Sequence, residues 1–361
     1  EKYMTKAQMK GYLLEVVLSK LIEVNGYDVI TERNIPYEPS VPDNEQEIRR
    51  KNNNLNIRGR GGYHQFDTLG TFKITPPFVF PLRLFVEAKC YKKKNKVGIE
   101  RVRMGLGILD DVNANYSTVH LSAEQLAIKR YQYHYAIFST SGFSEPAQRF
   151  AIAHKINLID LSGVEYKYIE DSLGAIVDEL MLDRNEISAE SFKTFKAIFL
   201  YLIYEEEIYG RNYKEFVRVI GTKLVDLILT LKEGIKNQYI YLATIESVNM
   251  IPLLANSKFN ELLKSNPHQK VSIHFNPENS DEWIIVPVND KGYEITDLSI
   301  RFILPKLLSD YMDKDTERAM AIKDKMIGKI VFVAYLDKIN PTLCTLTFDK
   351  RTTLKNPWNF K

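Results

Sequence analysis

The chain has little cysteine, no long hydrophobic run and almost no net charge. Its two cysteines, Cys90 and Cys344, lie far apart in a chain of 361 residues and show no metal-ligand spacing. This argues against a disulfide framework and favours a reducing compartment, so we expect a cytoplasmic protein. The longest apolar run, at 198–204, is far shorter than the roughly 20 residues that span a bilayer, so we expect no membrane partner.

A net charge of +3 excludes a uniformly basic protein, but the charge is unevenly distributed. Residues 49–60 hold five basic residues and no acid, and 83–103 hold eight basic residues against two acids, whereas 165–190 hold eight acids against two bases. Basic clusters indicate nucleic-acid contacts, although a lysine run is equally typical of a solvated loop. The residues expected to contact phosphates are Arg49, Arg50, Lys92, Lys93, Lys94 and Lys96.

The first 160 residues alternate between strand and helix patterns. Apolar spacing predicts an amphipathic helix over 5–25, with Thr5 as its N-cap and Asn25 and Gly26 at its end. The other predicted elements are a strand at 27–30, an irregular loop at 34–60, a proline-rich excursion at 72–82, helices near 99–112 and 144–154, and strands at 134–141 and 156–161. This alternation indicates an α/β sheet with helices on its faces.

The pattern changes near residue 185. The predicted elements beyond it are helices at 188–208 and 212–235, strand-like runs from Gln238 onward, and a helix near 300–325. We therefore expect two domains, residues 1–183 and residues 184–361. The second is predicted to be an α+β domain whose role is DNA recognition, sensing or partner binding.

Two acids and a lysine stand out against this background. An apolar run at 84–86 precedes Glu87 and Lys89, whose spacing of two places both side chains on one face of a strand. Asp67 belongs to an earlier strand-like segment that can bring it beside them. Carboxylates are preferred ligands of Mg²⁺, and an ammonium group suits an anionic substrate, so the set indicates phosphodiester hydrolysis. Strand alternation points His64 away from Asp67, so we expect a structural role for it.

The order of these motifs resembles a known family. A helix with Glu15, then GRGGYHQFD, FVEAKCY, a helix and AIFSTSGFSEPAQRFAIAHKINLIDL is similar to the PD-(D/E)XK nucleases, and most to their Mrr-type restriction endonuclease domain. The resemblance covers roughly residues 5–165. It implies a restriction-endonuclease-like mixed sheet flanked by helices, so the expected fold class is α/β with a C-terminal α+β domain.

The resemblance also implies roles for single residues. Asp67 and Glu87 match the metal-binding acids, and the backbone carbonyl of Ala88 is a further metal ligand. Lys89 matches the catalytic lysine. The first-helix acid of many members corresponds to Glu15, and a polar residue of the Mrr-like pattern corresponds to Gln65. The long, proline-rich interval between Asp67 and Glu87 departs from the pattern and indicates an elaborated hairpin.

These observations predict a metal-dependent DNA endonuclease of prokaryotic restriction or antiviral defence. It would use one or two Mg²⁺ ions, with Mn²⁺ able to substitute, and bind double-stranded DNA. Cutting both strands is simplest with two sites, so a homo-oligomer or a subunit of a defence complex is expected. A nuclease of DNA repair or recombination, or a non-catalytic DNA-binding subunit that keeps the nuclease fold, are the alternatives.

Overall fold

The structure, a computed structural model, describes most of the chain. The described residues are 3–39, 41–51, 54–91, 94–114, 131–182, 184–205, 211–246, 250–275, 282–304, 324–337 and 339–349. The helices are α1 (Lys6–Val24), α2 (Ile99–Ala114), α3 (Glu145–His154), α4 (Lys167–Leu180), α5 (Ala189–Tyr204), α6 (Arg211–Ile220), α7 (Thr222–Asn237) and α8 (Ser257–Ser265).

The strands fall into two sheets and a barrel. Those of the first half are β1 (Tyr27–Ile30), β2 (Ile48–Lys51), β3 (Asn54–Arg58), β4 (Tyr63–Gln65), β5 (Thr68–Phe72), β6 (Leu82–Lys89), β7 (Gln132–Ser139) and β8 (Asn157–Asp160). Those of the second half are β9 (Tyr239–Ile245), β10 (Met250–Ala255), β11 (His268–Phe275), β12 (Glu282–Pro287), β13 (Ile300–Ile303), β14 (Lys329–Tyr335) and β15 (Pro341–Phe348).

A five-stranded mixed sheet organises the first half. Its order is β1-β5-β6-β7-β8, with β1, β5 and β6 antiparallel and β6, β7 and β8 parallel. Successive side chains of a strand point to opposite faces of the sheet. Leu84 and Val86 of β6 accordingly join the core beneath α1, whereas Phe85 joins the core beneath α2 and α3. The predicted α/β architecture of this half is confirmed.

Helix α1 follows its predicted bounds closely. Thr5 caps it, because its hydroxyl accepts a hydrogen bond from the backbone amide of Gln8. In return, the side-chain oxygen of Gln8 accepts one from the backbone amide of Thr5. At the other end, Asn25 donates to the carbonyl oxygen of Ile240 at 3.0 Å and accepts from the amide of Leu242 at 2.7 Å. The end of α1 is therefore attached to β9.

The prediction of an irregular loop over 34–60 is wrong for part of that segment. Strands β2 and β3 pair with β4 in a three-stranded antiparallel sheet. Ile48 and Ile57 face each other in register and are buried. The polar run of arginines and asparagines between them conceals this pairing, because only one face of each strand is apolar.

The core beneath α1 extends past residue 184. Helices α4, α5 and α7 pack on α1 or on one another, and their buried residues belong to the same apolar cluster. The cluster also takes in Ile240 and Leu242 of β9. The division into domains at 183/184 stays a prediction, and packing is continuous across that position.

Seven strands of the second half form a closed barrel. The order is β10-β13-β12-β11-β15-β14-β9, with β9 pairing back to β10. The strand-like runs predicted at 239–245, 270–275, 282–288, 328–336 and 342–348 are confirmed as β9, β11, β12, β14 and β15. The helix predicted near 300–325 is wrong at its start, because 300–303 form β13, and 305–323 lie outside the described residues. Strand β10 and helix α8 were not predicted. Among the described helices, none combines the length and apolarity needed to cross a bilayer.

Helix α2 meets the sheet at Gly105. A Cβ atom added to Gly105 would lie 2.7 Å from the ring of buried Tyr135, whereas one added to exposed Gly107 meets nothing within 4 Å. We expect Gly105→Ala to lower the free energy of unfolding by about 1–3 kcal/mol, despite the helix propensity of alanine. Gly107→Ala, the matched control, should raise it by about 0.5–1 kcal/mol. Urea unfolding measures both, and equal effects would contradict the close approach.

Candidate functional site

Asp67 lies where the chain passes from one sheet to the other. It follows β4 of the three-stranded sheet and precedes β5 of the five-stranded sheet, so it stands at a junction rather than within a strand. Its Oδ2 atom accepts a hydrogen bond from the amide of Ala88 at 2.7 Å. Its own amide donates to the carbonyl oxygen of Val86 at 3.3 Å. These bonds hold the Asp67 carboxyl beside the end of β6.

Glu87 and Lys89 lie at the end of strand β6, and their side chains point to the same face of the sheet, as their spacing predicts. Their side chains form an ion pair between Lys89 Nζ and Glu87 Oε1. They are 18% and 15% exposed, so this is not the solvated surface pair that strand ends often carry. Both neighbours of β6, β5 and β7, are hydrogen-bonded to it, which fixes the direction of the two side chains.

Tyr135 is a member of the site that the sequence did not reveal. Its hydroxyl donates to Glu87 Oε2 at 2.6 Å, and its ring stacks on Phe85 with centroids 4.8 Å apart. Burial raises the pKa of Tyr135, and the negative charge of Glu87 raises it further. The phenol therefore stays protonated and remains a donor to Glu87. Register alone decides this contact, because β7 is far from β6 in sequence.

Glu15 enters the same region from α1. Its Oε2 atom is 3.4 Å from Nζ of Lys196, which belongs to α5, and the Glu15 side chain is 19% exposed. Burial raises the pKa of Glu15 to about 8, with Lys196 opposing the rise and the charge of Asp67 adding to it. Lys196 was not predicted, since nothing local in its helix distinguishes it from the other lysines.

Burial also raises the pKa of Asp67, and the hydrogen bond from Ala88 and the charge of Lys89 only partly offset this. Two carboxyl groups of the site therefore resist ionisation in the absence of further positive charge. Such perturbed acids concentrate at functional sites, although structural ion pairs produce them too. A divalent cation would favour their charged forms.

The donor set suits one magnesium ion with few protein ligands. Throughout the described part of the chain, no three His, Cys, Asp or Glu side chains come close enough together to hold one metal ion. Mg²⁺ needs only one or two carboxylates, with water and substrate oxygens completing the shell. Asp67 and Glu87 meet that need, and the backbone of Ala88 lies beside Asp67. For the ion to bind Glu87 Oε1, the ion pair between that oxygen and the Lys89 ammonium group would have to break.

Gln65 stands apart from these residues. It ends β4 in the three-stranded sheet, whereas Glu87 and Lys89 belong to the five-stranded sheet. The chain changes sheets between Gln65 and Asp67, so the two do not share a strand face, and the role of Gln65 in the site stays a prediction. Its exposed amide accepts a hydrogen bond from Asn54 at 3.2 Å.

His64 has the structural contact expected of it. Its Nε2 atom is 2.6 Å from Oδ2 of Asp111 in α2. Burial alone would raise the pKa of Asp111, but hydrogen bonds from His64 and from the amide of Gly61 outweigh it and lower that pKa. The pair joins the three-stranded sheet to α2.

The predicted phosphate contacts have different surroundings. Arg49 places its guanidinium carbon 3.5 Å from the centroid of the Tyr63 ring, and Arg50 lies 3.3 Å from a Glu32 oxygen. Lys94 and Lys96 are exposed in the loop that follows β6. Lys92 and Lys93 lie outside the described residues.

Comparison with known proteins gives no family. The chain matches no family model, and no curated protein matches it. It is similar to a solved structure described as the crystal structure of a protein of unknown function, AF1548, with 14% sequence identity and a TM-score of 0.31. The match covers 62% of this chain and 98% of that chain. A likeness this weak supports no conclusion about fold or activity.

The raised pKa of Glu15 makes a prediction about stability. In the unfolded chain this carboxyl ionises near 4.5, but in the folded chain near 8, so Glu15 lowers stability increasingly as the pH rises between these values. We expect Glu15→Gln to raise the free energy of unfolding by on the order of 2 kcal/mol at pH 9 and to leave it unchanged at pH 4. Urea unfolding in metal-free buffer measures the difference.

The exposed Glu186 provides the control. Glu186→Gln should change stability by less than about 0.5 kcal/mol at either pH. A Glu15→Gln effect that is the same at pH 4 and pH 9 would show that the Glu15 carboxyl is not held in its neutral form.

Proposed function

We propose that this protein is a metal-dependent endonuclease that hydrolyses phosphodiester bonds of double-stranded DNA, in prokaryotic restriction or antiviral defence. The observation that supports it best is the convergence of Asp67 with Glu87 and Lys89 at the end of β6. Glu15 of α1 lies close enough for the charges of Asp67 and Lys89 to act on it.

The order of elements also supports the proposal. The resemblance to PD-(D/E)XK nucleases implies this order: a helix with an acid, an antiparallel strand pair with one acid before it and an acid and a lysine at its end, a helix and a parallel strand. Here these elements are α1, β5 and β6, α2, and β7. Metal-dependent hydrolysis needs hard oxygen ligands and a positive group near the phosphate, and this arrangement has both.

Each side chain has a separate task in this mechanism. Asp67, Glu87 and the carbonyl of Ala88 would hold Mg²⁺, or Mn²⁺ in its place. The bound ion supplies Lewis-acid polarisation of the phosphate and activation of water. Lys89 stabilises the negative charge that develops on the phosphate oxygens, after leaving Glu87. Tyr135 orients Glu87 through its short hydrogen bond.

DNA binding would rest on basic side chains around this site. Lys94 and Lys96 follow β6 within a few residues of Lys89 and are exposed, so they are available to phosphates beside the reacting one. Arg49 stacks on Tyr63, which keeps its guanidinium in place without neutralising it. Two copies of the site would cut both strands, so we propose a homo-oligomer or a larger defence complex.

One observation favours a second candidate, a non-catalytic DNA-binding subunit. Both carboxylate oxygens of Glu87 already have partners, Lys89 and Tyr135, so the metal-free site is internally satisfied. A protein that only binds DNA would keep this arrangement unchanged. Metal binding and cleavage distinguish the two candidates.

Removing the acids or the lysine tests catalysis. We expect the native chain to cut supercoiled plasmid or linear duplex with Mg²⁺ or Mn²⁺, and Asp67→Ala, Glu87→Ala and Lys89→Ala each to lower the rate at least about 100-fold. The reason is that each removes a metal ligand or the positive charge at the phosphate. Gel assays of nicked and linear products measure the rate.

Lys329→Ala, at an exposed position of β14, is the control and should cut at the native rate. Circular dichroism checks that all variants fold. Native-like cutting by the three site variants would refute the site, and binding of DNA without cutting by the native chain would support the non-catalytic candidate.

Neutralising the loop lysines tests DNA binding. The logarithm of the association constant for DNA falls linearly with the logarithm of the salt concentration, and each lost phosphate contact should make this slope less steep by about 0.9. We expect Lys94→Gln with Lys96→Gln to reduce it by about 2, and Lys329→Gln to leave it unchanged. Fluorescence anisotropy with duplex DNA in EDTA measures binding without cleavage. A flat salt response of the native chain would contradict phosphate binding by this surface.

A further inference from the structure

Lys196 brings a second ammonium group to the candidate site. It belongs to α5, beyond the segment that carries the other site residues, and its Nζ lies 3.4 Å from Glu15 Oε2. The same Nζ lies 4.9 Å from the centroid of the Tyr12 ring, one turn earlier on α1. Its charge also acts on Asp67. Lys196 is therefore part of the electrostatic environment of the site rather than a surface charge.

Helix packing fixes this lysine in place. Phe192, Phe195 and Phe199 of α5 are buried in the core shared with α1. The Tyr12 and Phe192 rings lie 6.1 Å apart between the two helices. The Lys196 side chain is 35% exposed, so its stem follows the helix while its ammonium group reaches Glu15.

Glu15 is held by this lysine instead of joining the other acids. Within the described ranges, no three acidic, histidine or cysteine side chains are close enough to share an ion, so Glu15 does not complete a three-acid group with Asp67 and Glu87. Glu15 forms its ion pair with Lys196. The arrangement places a protein cation beside Glu15, at the position a second divalent ion would occupy to bind that carboxylate.

The charge balance agrees with a single ion. Glu15, Asp67 and Glu87 with Lys89 and Lys196 carry a formal charge of minus one when all are ionised. One divalent ion and one phosphodiester then bring the total to zero. A second divalent ion would leave two positive charges uncompensated in a largely buried site, which is unfavourable.

We propose that Lys196 takes the place of a second divalent ion at Glu15, so that each site binds one divalent ion. The inference rests on the proposed function, because it assumes that Asp67 and Glu87 bind an ion. Lys196 acts as a positioning residue: it holds Glu15 away from the ion and supplies positive charge next to it.

The number of bound Mn²⁺ ions tests this directly. Free Mn²⁺ measured by electron paramagnetic resonance during a titration gives the count and affinity without any need for activity. We expect one ion for the native chain, none for Asp67→Ala with Glu87→Ala, and two for Lys196→Gln. The first ion should also bind about tenfold more tightly to Lys196→Gln, because a neighbouring positive charge has been removed.

Matched variants locate the second ion. Lys196→Arg keeps the charge and should bind one ion. Lys193→Gln makes the same change at an exposed position of α5 and should also bind one. The double variant Glu15→Gln with Lys196→Gln should return from two ions to one, since the second ion needs the Glu15 carboxylate.

The outcomes separate the two proposals. A native chain that binds no Mn²⁺ would overturn both. The native chain is expected to bind one ion that depends on Asp67 and Glu87. If Lys196→Gln then changes neither the number of bound ions nor their affinity, that result would overturn only the proposed role of Lys196. Two ions in the native chain would do the same. Should Lys196→Gln fail to fold, Glu15→Gln decides: it must still bind one ion, and loss of that ion would make Glu15 a ligand and refute the inference.

Discussion

Strand β6 is the element on which both the fold and the candidate site depend. It pairs antiparallel with β5 and parallel with β7, and both of its faces are covered. A strand fixed on every side has no freedom to rotate, so its last residues point in defined directions. Glu87 and Lys89 therefore emerge on one face, and the Ala88 amide is available to Asp67. The geometry of the candidate site therefore follows from the position of β6 inside the sheet.

The acids of the site act against stability, and the packing of α1 offsets them. Glu15 and Asp67 are largely withdrawn from solvent, and this burial raises the pKa of both. Yet α1 buries one face against the sheet and another against α4 and α5, and Asn25 ties its end to β9. One helix thus connects the sheet, the helical layer and the barrel while it carries Glu15. Functional sites commonly contain groups that lower the free energy of unfolding, and the packed core around them offsets that loss.

The positions where sequence patterns failed share a cause. Strands β2 and β3 are polar along most of their length, and their pairing becomes visible only when Ile48 and Ile57 are seen to face each other. The start of the helix predicted near 300–325 is instead β13, whose partners β10 and β12 come from elsewhere in the chain. In each case pairing with other strands decided the structure, and the propensity of the segment itself did not.

The sequence by itself determined the α/β order of the first half, the bounds of α1 and α3, the caps of α1, most strands of the second half, and the placement of Glu87 and Lys89 on one strand face. These follow from periodicities and capping preferences that act over a few residues. Only the tertiary structure decided the barrel closure and the addition of Tyr135 and Lys196 to the site. The reason is that those contacts join residues far apart in the chain, and no local pattern encodes which distant side chain will face a buried carboxylate.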